Sequence, residues 1–325
     1  MLIVAGAGYS LKRILLVKTS SLGDVVHNFP VASDIRRQYP DAELDWAVEE
    51  AFVPLVRLHP GIGRILPVAI RRWRNSLMSR RTWAEIGRCR ADIGKHRYDA
   101  VVDTQGLVKS AVIACMARGC RHGFDAHSAR EPLAARFYNV VHPVDRERHA
   151  VDRNRQLAAQ SLGYAIDREA DFGLAGLASR AGGRRGDEVV FLHSTSRADK
   201  LWPESRWAEL GLRIESEGLT CVLPWGSEAE RERSVRIATR LARASVPGRC
   251  DFPELAQRLA NARAVVGVDT GLVHLSAALG TMTVALFLST DPARTGVHST
   301  ANAINLGGMG ELPGVDDVLA ALKIS

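Results

Sequence analysis

Apolar residues in this chain fall in short runs that end in small polar loops, and between the runs they recur at helical spacing. The run Arg13 to Lys18 predicts a first strand. Thr19-Ser20-Ser21-Leu22-Gly23-Asp24 follows as a loop, and a helix starts near Val25 with Pro30 in its first turns. Glu43 to Val48, Ile65 to Ile70 and Tyr98 to Val102 predict three more strands, with helical patterns filling the interval up to Lys95. Asp103-Thr104-Gln105-Gly106 closes the last of these, and Leu107 to Met116 predicts a helix with Lys109 and Ser110 in its first turn. A glycine-rich polar stretch, Ala181 to Asp187, interrupts the pattern and predicts the approach to a domain boundary. The alternation then restarts, with strands at Glu188 to Leu192, Thr220 to Leu223, Ala264 to Val268 and Met282 to Leu288. Helices open at Trp202-Pro203-Glu204 and around Glu228 and Glu230, and another spans Asp251 to Arg263. Strands alternating with helices predict parallel sheets covered on both faces. The expected organisation is two α/β domains, 1–175 and 186–325, with 1–11 as a flexible lead.

The most informative stretch is Ala264 to Gly280, which predicts strand, tight turn and helix. Asp269 or Thr270 is placed to N-cap the helix, Leu272, Leu275 and Leu279 give its period, and Gly280 stops it. A helix that starts at the carboxyl end of a parallel strand aims free N–H groups at a crevice, which suits an anion. His274 lies one turn after Thr270 on the same side. The residues alone fit either a phosphate cradle or an ordinary capped strand–helix unit with a core histidine. Three further polar loops follow predicted strands, at Ser194 to Lys200, Trp225 to Glu230 and Ser289 to Asp291. Hydroxyls, a lysine and a helix N-terminus suit a diphosphate, and a carboxylate such as Glu230 suits the hydroxyls of a ribose.

Composition narrows the class. No run of 18 apolar residues predicts a membrane-spanning helix, and the positive charge follows the short apolar start rather than preceding it, the wrong order for a secretory signal. Five scattered cysteines predict reduced thiols and no zinc site. The net charge of +7 is concentrated in arginines of the first half, which implies an acidic partner. No nucleic-acid recognition motif accompanies that charge. Gly6-Ala7-Gly8 is not a dinucleotide fingerprint, because Leu11 takes the third position and a strand follows, which argues against a pyridine-nucleotide oxidoreductase.

Ordered motifs carry a family resemblance from about Lys12 to the end of the chain. They are Lys18 to His27, Asp45 to Glu50, Ala69 to Arg74, Asp103 to Ser110, Ala129 to Leu133, Asp199 to Pro203 and Val268 to Leu272. Together they resemble the bacterial lipopolysaccharide heptosyltransferases of glycosyltransferase family 9, and Lys18-Thr19-Ser20-Ser21 favours the heptosyltransferase I branch over II. The resemblance implies a GT-B fold, two facing Rossmann-like domains with the active site in the cleft between them. It implies an inverting, metal-independent glycosyltransferase with no cofactor, using ADP-L-glycero-D-manno-heptose as donor. The acceptor would be the Kdo region of Kdo2-lipid A. The enzyme would be cytoplasmic, peripheral on the anionic cytoplasmic face of the inner membrane, with no nucleic-acid partner. Residue by residue, Asp24 would be the catalytic base. Thr195, Ser196 and Lys200 would hold the donor phosphates, Glu230 the ribose, and Asp269, Thr270, Gly271 and His274 the rest of the donor pocket. Lys18, Ser20, Arg71, Arg72, Arg74, Gln105, Lys109, Arg121 and Arg130 are the candidates for the anionic acceptor, for which bidentate arginine is well suited. Asp24 also reads as a helix N-cap, Trp73 as a core residue under a basic face, and His27 as a packing residue. Two departures stand out: Ser196 replaces a common threonine, and Phe287-Leu288-Ser289-Thr290 replaces an aromatic-glycine-proline-threonine loop. The alternatives are another family member with a different acceptor, such as a heptosyltransferase II, and a non-catalytic lipid-A-binding module.

Overall fold

The computed structural model describes residues 11–179, 186–298 and 302–323. The predicted lead, with Gly6-Ala7-Gly8, and most of the Ala181 to Asp187 stretch lie outside the described residues. The chain divides into two compact units, one ending at Gly173 and the other starting at Leu174. Each is built on a six-stranded parallel sheet with helices between the strands, the α/β class that the sequence predicts.

The first sheet contains β1 (Arg13–Val17), β2 (Glu43–Glu49), β3 (Ile65–Val68), β4 (Arg97–Asp103), β5 (Arg118–Phe124) and β6 (Val140–His142), in the order β3-β2-β1-β4-β5-β6. The second contains β7 (Glu188–Leu192), β8 (Thr220–Val222), β9 (Ala244–Ser245), β10 (Ala264–Val268), β11 (Thr283–Phe287) and β12 (Ala303–Gly307), in the order β12-β11-β10-β7-β8-β9. Each unit is therefore doubly wound. Its first strand lies beside its fourth, and the winding reverses between them, where a crevice opens at the carboxyl ends of the strands. That places the crevice at the ends of β1 and β4 in the first unit, and of β7 and β10 in the second.

Central strands are buried end to end, as in β10, which explains why their apolar runs were legible. Strands β5, β6, β9 and β12 have no sequence expectation. β5, Arg-Gly-Cys-Arg-His-Gly-Phe, is only partly covered over most of its length and so needs no apolar run. The helix expected from Val25 is two helices, Leu22–Val26 and Phe29–Gln38, and Pro30 sits at the start of the second, where its missing N–H costs nothing. Ile70, expected in the third strand, begins the helix Ile70–Arg74 instead. In β10, Gly267 lets the following helix close on the sheet: a Cβ there would lie 2.4 Å from Val273 Cγ1 and 2.8 Å from Leu192 Cβ. The five cysteines are unpaired.

Candidate active site

In the first unit the loops after β1 and β4 meet at the switch point. Gln105 ties them together: its side-chain oxygen accepts from Thr19 N–H (2.8 Å) and Ser20 N–H (3.1 Å), and its amide donates to the Ser20 carbonyl. Lys109 donates to Ser20 Oγ at 3.0 Å. Lys18, 3% exposed, donates to the Thr104 carbonyl at 2.8 Å. Asp24 faces Lys18 Nζ at 4.0 Å and receives Arg130 at 2.8 Å on one carboxylate oxygen and 3.4 Å on the other. Lys18, Asp24, Thr104, Gln105 and Arg130 line a pocket together with Phe124, Arg153 and Asn154. Arg153 also lies 5.0 Å over the Phe124 ring.

The charges in this pocket perturb one another. Burial pushes the Asp24 carboxyl up, but Lys18, Arg130 and the Ser21 N–H outweigh it and hold the group below the usual carboxylate range. Lys18 is lowered to about 8 by burial, with Asp24 opposing the shift. Arg153 is also lowered by burial. The pocket therefore sets three cations around one ionised carboxylate. Asp24 is not an N-cap. Ser21 holds that position, and Asp24, at the third helical residue, accepts from Ser21 N–H at 3.1 Å, the reciprocal half of a capping box.

Four acceptor candidates stand apart from this pocket. Arg72 donates to both Glu50 and Glu85, so two carboxylates already balance it. Arg71 stacks over Phe52 at 5.6 Å, and Arg74 is exposed on the same helix. Arg121 lies within β5 and donates to the Phe137 carbonyl at 2.9 Å. Trp73 is buried, with its indole N–H on Glu85, so it is the core residue of the two readings. His27 is buried with its ring edge toward His149. Sequence reasoning gave Arg153 no role beyond its charge and missed Asn154, because β6, which leads into their helix Ala150–Leu162, carries no apolar run long enough to read.

In the second unit, loops after β7, β10 and β11 converge on Asp269. Lys200 pairs with its carboxylate, Thr290 Oγ1 donates to the same oxygen at 2.7 Å, and Thr195 Oγ1 donates to its carbonyl at 3.1 Å. Neither Asp269 nor Thr270 caps with its side chain as expected. Thr270 is the N-cap residue without a side-chain cap bond, and the Asp269 carboxylate is committed to Lys200 and Thr290. Gly271 opens the helix Gly271–Ala278, whose first N–H groups receive no side-chain cap, and His274 is buried within it. Ser196 is exposed beside Thr195. In the first turn of helix Glu228–Ala238, which follows the loop after β8, Glu230 accepts from Gly226 N–H at 2.7 Å. At the end of β7, His193 lies between Ser234 Oγ (2.7 Å) and Ser194 Oγ (2.8 Å), and burial lowers it to about 4, so the ring is neutral and braces the loop.

A doubly wound unit with lysine, hydroxyls and a helix N-terminus at its switch point, joined to a second whose switch point holds a carboxylate among cations, is the make-up of a GT-B glycosyltransferase. Comparison with known proteins supplies the family. Glycosyltransferase family 9 (heptosyltransferase) matches residues 86–320. Lipopolysaccharide heptosyltransferase 1 of Pseudomonas aeruginosa is 44% identical over 91% of this chain and 83% of its own length. Among solved structures, E. coli heptosyltransferase WaaC with ADP superposes with a TM-score of 0.90 at 39% identity, covering 96% of this chain and 99% of that one. WaaC with ADP-2-deoxy-2-fluoro heptose gives a TM-score of 0.87 at 38% identity, over 96% and 99%. The chain belongs to glycosyltransferase family 9.

Proposed function

We propose that this enzyme transfers L-glycero-D-manno-heptose from ADP-heptose to the Kdo region of Kdo2-lipid A, with inversion at the anomeric carbon and without a metal. The observation that carries the reading is the first unit's pocket: Lys18, Arg130 and Arg153 surround a single carboxylate, Asp24. A net-positive pocket favours an acceptor bearing carboxylates and phosphates, and the carboxylate within it is already ionised and able to take a proton. The relatives' names supply the sugar, and the structures solved with ADP and a fluorinated ADP-heptose supply the donor class.

The acceptor hydroxyl attacks the anomeric carbon of the heptose from the face opposite the diphosphate. The new carbon–oxygen bond forms as the bond to ADP breaks, ADP leaves with the electron pair, and Asp24 takes the hydroxyl proton. Arg130 is half-exposed, so an anionic group of the acceptor can compete for it. Loss of that ion pair relieves one of the effects that depress the Asp24 carboxyl, which makes it a stronger base when acceptor is present. On the donor side, Lys200, the hydroxyls of Thr195, Ser196 and Thr290, and the N–H groups opening helix Gly271–Ala278 neutralise the leaving diphosphate, a task that metal ions perform in other transferases. Asp269 serves chiefly to aim Lys200, since a carboxylate in contact with phosphate would be repelled. Gln105 is fully engaged in holding the Thr19–Ser20 loop, so it shapes the acceptor pocket rather than contacting the acceptor.

A lipid-linked acceptor places the enzyme at the cytoplasmic face of the inner membrane. Among the described residues no helix is long and apolar enough to cross it, so association would be peripheral. Incubation with ADP-heptose and Kdo2-lipid A in EDTA, followed by mass spectrometry, tests the reading. Addition of one heptose is expected. No product with this acceptor, but product with an already heptosylated one, would assign the enzyme to another branch of the family. Activity that is lost in EDTA and restored by magnesium would overturn the metal-independent donor site.

A further inference from the structure

The turn between helices Ile70–Arg74 and Arg80–Ile93 exposes apolar side chains that the fold does not use. Met78 is 100% exposed, Trp83 59% and Leu77 50%. They form one patch, because Leu77 and Met78 are adjacent and the Trp83 indole N–H donates to the Leu77 carbonyl at 2.8 Å. That bond also satisfies the indole's only polar atom, so moving the ring out of water strips no donor of its partner. The charge around the patch is net positive: from Ala51 to Ala84 the chain carries seven arginines and no acidic residue, with Glu50 and Glu85 just outside that stretch. Arg72 and Arg81 are taken up by Glu50 and Glu85, whereas Arg74 and Arg80, flanking the turn, are exposed and make no ion pair among the described residues.

The turn also springs from the edge of the sheet that carries the acceptor pocket. Arg71 N–H donates to Glu49 at the end of β2, and Glu49 N–H donates to the Thr19 carbonyl in the loop that leads into the helix of Asp24. We propose that residues 74–83 are the membrane-docking tip of this enzyme: Leu77, Met78 and Trp83 insert into the headgroup region of an anionic bilayer while Arg74 and Arg80 pair with its phosphates. Exposed aliphatic side chains with a tryptophan and flanking arginines suit that boundary better than a protein groove, because the apolar part is shallow and the charge surrounds it. The assignment rests on the lipid-linked acceptor of the proposed function.

Co-sedimentation of the full chain with phosphatidylglycerol/phosphatidylethanolamine vesicles, against phosphatidylcholine vesicles, tests it. The parent enzyme is expected on the anionic vesicles only. The double variant Leu77→Ser/Met78→Ser should bind them at least about tenfold more weakly, given the apolar burial lost, yet turn over a deacylated, water-soluble acceptor at the parent rate. Arg80→Gln should weaken binding at low salt more than at high salt. If the parent fails to bind any vesicle, the membrane reading of the function falls, and this tip with it. If the parent binds and the double variant binds equally well, docking lies elsewhere and only the tip assignment falls. Equal loss of turnover on the soluble acceptor would make the turn part of the acceptor site. Concentration-dependent dimerisation abolished by the double variant would make the patch a contact between two copies. Either result overturns the proposal.

Discussion

Asp24→Asn separates chemistry from scaffolding at the proposed base. Asparagine has the same shape and keeps one oxygen that can accept from Ser21 N–H, now 3.1 Å from the carboxylate, so the reciprocal half of the capping box survives. What is lost is charge. The contact with Arg130 at 2.8 Å is a charge-assisted hydrogen bond of about 1.5–3 kcal/mol, and it is discounted toward about 1–2 kcal/mol because the Arg130 side chain is 43% exposed. At about 2–4 °C per kcal/mol for a chain of this size class, the melting temperature should fall by about 2–8 °C. Such a loss leaves the protein folded at assay temperature. A general base contributes about 10²–10⁴ in rate, or roughly 3–5 kcal/mol of barrier. The variant should therefore lose at least about a hundredfold in kcat, a loss that unfolding cannot explain, while ADP binding is unchanged because its groups belong to the other unit. Steady-state turnover at saturating donor and acceptor, a thermal melt and calorimetric titration with ADP together test this. A folded Asp24→Asn enzyme with turnover within about tenfold of the parent would refute Asp24 as the base.

Lys18 predicts a pH dependence. Its folded value of about 8 lies below the ordinary 10.5, so between those values the unfolded chain binds more protons and stability should rise with pH by up to about 3 kcal/mol, a rise absent from urea titrations of Lys18→Met. If its charge holds the acceptor, kcat/KM should fall above about pH 8, and Lys18→Met should lower kcat/KM and lose that alkaline limb. Lys200→Ala should weaken ADP by about 1.5–3 kcal/mol, while Arg130→Gln should raise the acceptor KM and leave ADP affinity at the parent value; calorimetry showing equal losses would refute the division of roles between the units. Gly267→Ala should force the helix Gly271–Ala278 away from β7, with a cost of about 1–3 kcal/mol and a weaker ADP site, and a melt identical to the parent's would show that the close approach is relieved without strain.

What could be read from the sequence was set by range. Central strands such as β1, β4, β7 and β10 were legible because burial on both faces demands an unbroken apolar run, and the polar loops that end them were legible for the same reason. The edge strands β6 and β9 are three and two residues long, too short for any period to show. Charge partners were the least legible. Arg130 reaches Asp24 across 106 residues, and nothing local marks the pair. Arg72 looked like a free cation in its run of arginines because Glu50 and Glu85, which neutralise it, are 22 and 13 residues away. An arginine-rich stretch thus reports net charge, whereas the fold decides which members remain available to a ligand.

The same motif, a lysine against an aspartate, stands at the switch point of each unit, and the surroundings give it different work. In the second unit Lys200 and Thr290 share the carboxylate of Asp269, so the pair is close to neutral and holds the lysine in place. Most of the attraction for a diphosphate then comes from the helix N-terminus and the hydroxyls, whose dipoles point correctly before and after the bond to ADP breaks. In the first unit Asp24 faces Lys18 and Arg130, and Arg153 lines the same pocket, so the balance is positive. If Asp24 is the base, as proposed, it has to stay ionised in a buried site yet gain basicity when substrate arrives. Burial alone would protonate it, and a permanent ring of cations would leave it too weak. An arginine that is half-exposed and can be drawn off by an anionic acceptor meets both requirements, so on the proposed mechanism the ion pair between Asp24 and Arg130 belongs to the resting enzyme rather than to the reacting one.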